Sequence, residues 1–357
     1  MIKNIVTIQD VIENANVPKD PQNVVDEIDD RKIYDLINRF YSERGSVNPE
    51  SYSLKYEGGT VKSKTTLGRP PDNDMPIDRI KPQQFHHSHF SSKGLDTAGI
   101  DRDKSWNGEK AAVLYENGTI DLLKSDYYTT RSFGFVPYVE VANVIRNSGK
   151  DIDGIDLDKL SIRNKYLKSK EDLHRTRWLA AGGSVGGVII ANSGDDWRLI
   201  LGERSDRTNI NPSLISMVPN GALRYDNVAE NGFTKDLKLH FNEELFRGRK
   251  QPNFFEDFVE PYRVSTGWNL RSGELAVGYG LIIKDEGGYN MLRETKSHNF
   301  EFDSMVDVSV HNTDKLSEIL KFGNISPSVV PTVYRSLVLL ENVIDEVSLN
   351  YRIDQEI

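Results

Sequence analysis

VPNGALRYDNVAENGFTKDLKLHFNEELFRG, Val218 to Gly248, decides how the rest of this chain is read. A Pro-Asn-Gly turn leads through a polar loop into a short amphipathic helix. Leu237, Phe241 and Leu245 recur at i, i+4 and i+8 and build one apolar stripe for burial. His240, Glu243 and Glu244 stand at i, i+3 and i+4, so their side chains converge beside that stripe. Thr234 is placed to cap the helix start, with Asp236 near the positive end of the dipole. Neighbouring carboxylates are suited to holding a divalent cation beside a phosphate. Taken alone, a Glu-Glu pair on a helix is far more often a solvated surface feature. The flanking sequence therefore has to carry the argument.

Upstream, SVGGVIIA (184–191) is a glycine-led apolar run, Gly194-Asp195-Asp196 is a turn, and WRLILGER (197–204) alternates into a second strand. LISMVP (214–219) is a third, short strand. Downstream, ELAVGYGLIIK (274–284) and FEFDSMVDVSV (300–310) are strand material, and 329–344 forms a helix with Val330, Val333, Leu337, Leu340 and Val343 on one side. The glycines of GGSVGG (182–187) precede their strand, whereas a dinucleotide-binding loop follows one and opens a helix. No Gly-Lys-Ser/Thr occurs, so both nucleotide-loop readings are excluded.

The N-terminal half has a different texture. Ile33, Leu36, Ile37, Phe40 and Tyr41 predict a helix over 22–44, stopped by Gly45. Residues 46–110 lack apolar periodicity and carry Pro70, Pro71, Pro76 and Pro82, which predicts an irregular connection. AAVLY (111–115) and IDLL (120–123) flank an Asn117-Gly118 hairpin turn. A helix over 137–147 follows, with Tyr138, Val141, Val144 and Ile145 on one face. DIDGIDLDKL (151–160) lacks the glycine and glutamate spacing of a calcium loop and is expected to be an acidic linker. The division expected is an N-terminal α+β module over 1–150, a linker over 151–176 and a second domain over 177–357.

A chain of 357 residues favours two domains over one core. It has no cysteine, which excludes disulfides, thiolate metal sites and a cysteine nucleophile. No run of about 18 apolar residues is present, so no membrane association is expected. The N-terminus does not resemble a secretory signal, which makes the cytoplasm the expected location. A net charge of −9 argues against a general nucleic-acid binder. The basic stretches RNKYLKSK (163–170) and HRTR (174–177) fit a solvated face better than a phosphate-tracking surface.

Read together, SVGGVIIANSGDDWRLILGERS (184–205), SLISMVPNGALRYDN (213–227) and FTKDLKLHFNEELF (233–246) resemble the Nudix superfamily. Leu199 to Arg204 match its strand, Pro219-Asn220-Gly221 its turn and Phe241 to Leu245 the end of its helix. The resemblance spans roughly Trp178 to Val343. It implies an α+β fold, a Nudix-like mixed β-sheet flanked by helices, with the N-terminal α+β module separate. It further implies a metal-dependent hydrolase of a nucleoside-diphosphate-linked metabolite, using Mg²⁺ or Mn²⁺. Glu243 and Glu244 would be catalytic, and His240, Glu243 and Glu244 would hold the metal. Arg204, Asn220, Gly221 and Trp268 would contact a small-molecule nucleotide-type ligand, and a homodimer is among the arrangements implied.

The chain departs from the family helix at Leu239 and His240, where Arg and Glu are expected, and at Phe246, which replaces the closing glycine. The loop before the acids is about four residues longer than the family's. A neutral imidazole suits Mn²⁺ or Zn²⁺ better than Mg²⁺. These departures define the alternative: a catalytically decayed Nudix-like domain acting as a nucleotide-metabolite sensor or scaffold. A weaker candidate is QFHHSHF (84–90), where His86, His87 and His89 lack an accompanying acid and fit a polar loop better than a metal centre.

Overall fold

The computed structural model describes residues 18, 21–43, 54–57, 60–63, 81–83, 107–116, 119–149, 151–168, 182–206, 213–246, 253–268, 274–295, 302–320, 325–326 and 329–343. The chain is an α+β protein built on a seven-stranded mixed sheet. Its main path runs β10 (Glu260–Trp268), β11 (Leu275–Ile283), β6 (Gly183–Asn192), β7 (Trp197–Arg204) and β12 (Phe302–Ser309). β11 and β6 are parallel, from Leu275↔Gly183 to Ile283↔Ala191, and the other pairs on this path are antiparallel. Two short strands, β8 (Ile215–Ser216) and β9 (Asn220–Ala222), pair with β7 and β6.

Period-two alternation sorts the side chains onto two faces. Odd positions of β11, Leu275, Val277, Tyr279, Leu281 and Ile283, join Val185, Ile189 and Ala191 of β6 in the core beneath α5 (Tyr225–Leu245). Val188, Ile190, Leu199, Leu201 and Ile282 face the opposite side, where α9 (Val329–Val343) adds Val329, Val333, Leu337 and Leu340. Even positions Gly278 and Gly280 let α9 come close: a Cβ on Gly278 would collide with the Thr332 and Ser265 hydroxyls. Those two hydroxyls hydrogen-bond to each other at 2.9 Å. The sheet is thus covered by helices on both faces, as the sequence predicted.

The second core is helical. It joins α1 (Pro21–Asp26), α2 (Asp30–Glu43), α3 (Tyr127–Ser148) and residues 152–167, which include α4 (Ser161–Tyr166). The single helix expected over 22–44 is two, because Glu27 to Asp29 form a turn between them. α3 starts ten residues before its sequence periodicity does. It is buried on nearly every side, so it has no polar face to produce a period, and Pro137 sits inside it. Asp126 caps its start by accepting from Thr129 N at 2.9 Å, and Gly149, at φ 59°, ends it. Ile155, Leu157 and Leu160, within the expected linker, are part of this core.

The hairpin β4 (Glu109–Glu116) and β5 (Thr119–Asp126) forms as expected, and β3 (Lys81–Gln83) pairs with β5 in parallel. Ala111, Val113 and Leu122 pack into the core beneath α5, so the hairpin is built into the larger sheet's side of the molecule. The His86, His87 and His89 cluster lies outside the described residues.

Glu140, fully buried on α3, accepts from Ser161 Oγ at 2.5 Å and Ile162 N at 2.9 Å, tying α3 to the start of α4. Burial pushes its carboxyl above the usual range despite these bonds. A pKa raised in the fold gives stability that is full below the unfolded value, about 4.3, and is lost as pH rises through the folded value. Glu140→Gln is therefore expected to gain on the wild type in thermal unfolding as pH rises from 4 to 8. Parallel pH profiles for the two proteins would contradict this.

Candidate functional site

Gly232 interrupts α5 with φ 73° and ψ −177°, a backbone conformation essentially reserved for glycine. The helix bearing His240 and the acids therefore starts just after it, near Thr234. Leu237, Phe241 and Leu245 are buried as the stripe predicted. Phe241 packs among Phe246, Phe254 and Phe255, with ring centroids 5.3 to 5.8 Å apart. Phe246 is thus core.

Beside the stripe runs a polar row at four-residue spacing: Asp236, His240 and Glu244, only 0%, 7% and 6% exposed. Each faces an alternate residue of the extended segment 220–224. Glu244 accepts from Asn220 N at 3.1 and 3.2 Å. His240 Nε2 donates to Ala222 O at 3.2 Å, which places the ring proton on that nitrogen. Asp236 accepts from Arg224 N at 2.9 Å and from Asn227 Nδ2 at 3.1 Å. Four residues of helix advance about 6 Å and two residues of strand about 6.6 Å, so the two repeats stay in register. The strand offers N–H, C=O and N–H in turn, and the row answers with acceptor, donor and acceptor.

Gly221 lies inside this clamp. A Cβ there would collide with the His240 ring, so the imidazole fills the space that the glycine leaves. Burial lowers the His240 pKa, and Arg224 acts in the same direction, while Asp236 and Glu243 oppose them. The ring is held neutral.

Glu243, 52% exposed, lies at the solvent side of the row and pairs with Arg224 Nη2 at 2.7 Å. On the same side Lys124 of β5 reaches Glu109 at 2.5 Å and Asp226 at 3.4 Å. Farther along the helix Lys238 pairs with Glu256. Arg204 ends β7 with its guanidinium 5.7 Å from the Phe302 ring centroid. Asn220 and Gly221 form part of β9, Asn220 Nδ2 donating to Ser216 Oγ at 3.3 Å. Trp268 closes β10 opposite Leu275, and its side chain is outside the described set. Tyr279 is buried core, with a hydroxyl pKa raised by that burial.

Each donor that the sequence assigned to a metal has another partner in the structure. Glu244 is committed to a backbone N–H, His240 to a carbonyl, and Glu243 is turned toward Arg224. Among the described residues no group of three or more His, Asp or Glu is placed to hold a metal ion. His240 Nδ1 and Glu243 Oε2, 3.8 Å apart, form a pair at most. Two further residues complete the site, Arg224 and Asp236, the second of which the sequence had placed only near the positive end of the helix dipole. Arg224 had no signal beyond its place before the helix. Asp236 was legible through its four-residue spacing from His240.

No protein-family model matches the chain, and no curated protein matches it. Solved structures with some likeness include a MutT/nudix family protein from Enterococcus faecalis, at 13% identity and a TM-score of 0.25, covering 45% of this chain and 63% of that one. A bifunctional NMN adenylyltransferase/ADP ribose pyrophosphatase from Francisella tularensis aligns at 12% identity and a TM-score of 0.29, covering 56% of this chain. The chain spans about half that protein's length, 52%. The same protein has also been solved complexed with AMP and a Mn ion. A Deinococcus radiodurans protein aligns at 8% identity and a TM-score of 0.25, covering 36% of this chain and 67% of that one.

A carboxylate at position 240 would face the Ala222 carbonyl acceptor to acceptor. His240→Glu is therefore expected to destabilise by about 2–3 kcal/mol in urea unfolding, the cost of a lost bond and an unmatched buried group. His240→Gln keeps a donor and should lose less than half as much. A depressed histidine pKa gives stability present above about pH 6.5 and lost as pH falls through the folded value. The Gln variant should accordingly show a flatter stability profile below that pH. Equal stability of the Glu and Gln variants would refute the donor–acceptor match.

Proposed function

We propose that this chain is a Nudix-like protein that binds a nucleotide-type ligand without hydrolysing it, acting as a sensor or scaffold. The supporting observation is the buried row: two of the three side chains at the expected metal-binding positions, His240 and Glu244, hold segment 220–224. No hydrolytic step through a metal is derived for a donor set already engaged in this way. What remains addressable on this face is the half-exposed Arg224–Glu243 pair. A ligand phosphate would displace Glu243 and take the Arg224 guanidinium, a planar fork suited to phosphate oxygens.

With AMP or ADP-ribose in excess, the expected outcome is a rise in unfolding temperature with no product, with or without Mg²⁺ or Mn²⁺. Arg224→Ala should abolish the rise and leave the protein folded. Metal-dependent turnover of either compound overturns the proposal.

A second reading, a metal-dependent hydrolase, is favoured by one feature: His240 Nδ1 and the exposed Glu243 carboxylate lie 3.8 Å apart. These are two donors that a ligand's phosphate oxygens would have to supplement. On this reading Glu243→Gln abolishes turnover, whereas on the binding reading there is no turnover to lose.

A further inference from the structure

Gly182 and Gly183 stand at the start of β6, where three other elements meet. A Cβ built on Gly183 would lie 2.5 Å from Leu223 Cδ1 and 2.7 Å from Val113 Cγ2. The missing side chain lets Leu223 of the clamped segment and Val113 of the hairpin close over the same point. A Cβ on Gly182 would lie 3.2 Å from Thr130 Cβ, in the first turn of α3. The backbone is joined there as well. Ala112 forms a bridge with Gly182, Ala111 N donates to Leu223 O at 2.9 Å, and Leu223 N donates to Gly183 O at 2.9 Å.

The hairpin is tied at its surface to the residues that directly follow this segment, at the start of α5. Lys124 reaches Asp226 at 3.4 Å and lies 5.7 Å from the Tyr225 ring centroid. β5 then passes into α3 with no linker, since Asp126 is both the last strand residue and the cap of the helix. The segment that the Asp236–His240–Glu244 row grips is therefore joined, through backbone bonds and buried contacts, to the central helix of the other core.

We propose that this junction is a conformational relay: displacement of residues 220–224 at the clamp moves the β4–β5 hairpin, and the hairpin moves the first turn of α3. Coupling between distant regions travels through packed, stiff elements. Here the path is a strand bonded to a hairpin whose second strand becomes the helix. Apart from the Lys124 contact at the surface, the path runs through backbone bonds and short buried side chains, closely packed over the glycines. The relay is a property of the packing and holds whether or not the α5 face takes a ligand.

Hydrogen exchange read by mass spectrometry on the full chain tests it. Asp236→Asn weakens the grip on Arg224 N at the far end of the clamp. Exchange is expected to rise at least tenfold in residues 220–226 and, together with them, in 107–126 and 127–133. Residues 329–343, on the other face of the sheet, should not change. Lys124→Met acts from the hairpin side, at an exposed position that threatens folding less, and should raise exchange in 220–226. Effects confined to the substituted element, or a uniform rise that includes 329–343, overturn the relay.

Discussion

The register between α5 and the segment 220–224 is the constraint on which the rest of this face depends. A helix and an extended strand share no general repeat, but four residues of one nearly equal two of the other in length. Asp236, His240 and Glu244 exploit that near-equality to meet residues 224, 222 and 220 in order. Burying two carboxylates costs several kcal/mol unless each finds strong partners. Here the partners are backbone N–H groups that would themselves be orphaned at the edge of a short strand. Each side of the clamp therefore needs the other, and a partial clamp would leave buried groups unmatched. Leu237, Phe241 and Leu245 follow from the same rotation of the helix, because stripe and row are adjacent faces of one cylinder.

Glycines set the distances around this clamp. Gly221 admits the His240 ring, Gly183 admits Leu223 and Val113, and Gly202 admits Phe302. In a sequence such glycines suggest loops or phosphate cradles, since the residue that fills the vacant volume is far away along the chain. In the fold each is a seat for named neighbours. The GGSVGG run is of this kind: it leads into and forms strand, and its openness is taken up by Thr130, Leu223 and Val113 at the first two glycines and by Met217 and Leu281 at the last two.

Much of the sheet was legible as apolar runs bounded by turns, as in β6 and β11, because strands covered on both faces bury residues of both parities. The apolar stripe of α5 was legible at helical period, because one face of that helix is buried and the other is not. α3 was only half legible: Arg131 is the one charged residue in 127–136, because the helix is largely enclosed, and enclosure erases the period that would announce it. β10 left little trace beyond its aromatics, with Gly267 and Pro261 within it. In the candidate site, the convergence of His240 with its neighbours was legible from spacing. Its meaning was not, because the partners of the row are backbone groups, which look alike in every sequence. Spacing gives the face on which a side chain lies and says nothing of what it meets there.

That distinction bears on function. Carboxylates in a helical row can meet a cation or meet N–H groups, and the two uses demand different middle residues. A cation is served by acceptors throughout. A strand presenting N–H, C=O and N–H requires a donor in the centre, and His240 with its proton on Nε2 supplies one. Histidine at position 240 is thus a residue type that the Ala222 carbonyl requires. Gly221 is then needed to seat the ring, and the neutral state follows from burial. The four residues form one consistent solution to holding the turn, and Glu243, which belongs to none of it, is left with Arg224 at the surface as the part of the helix free to meet something else.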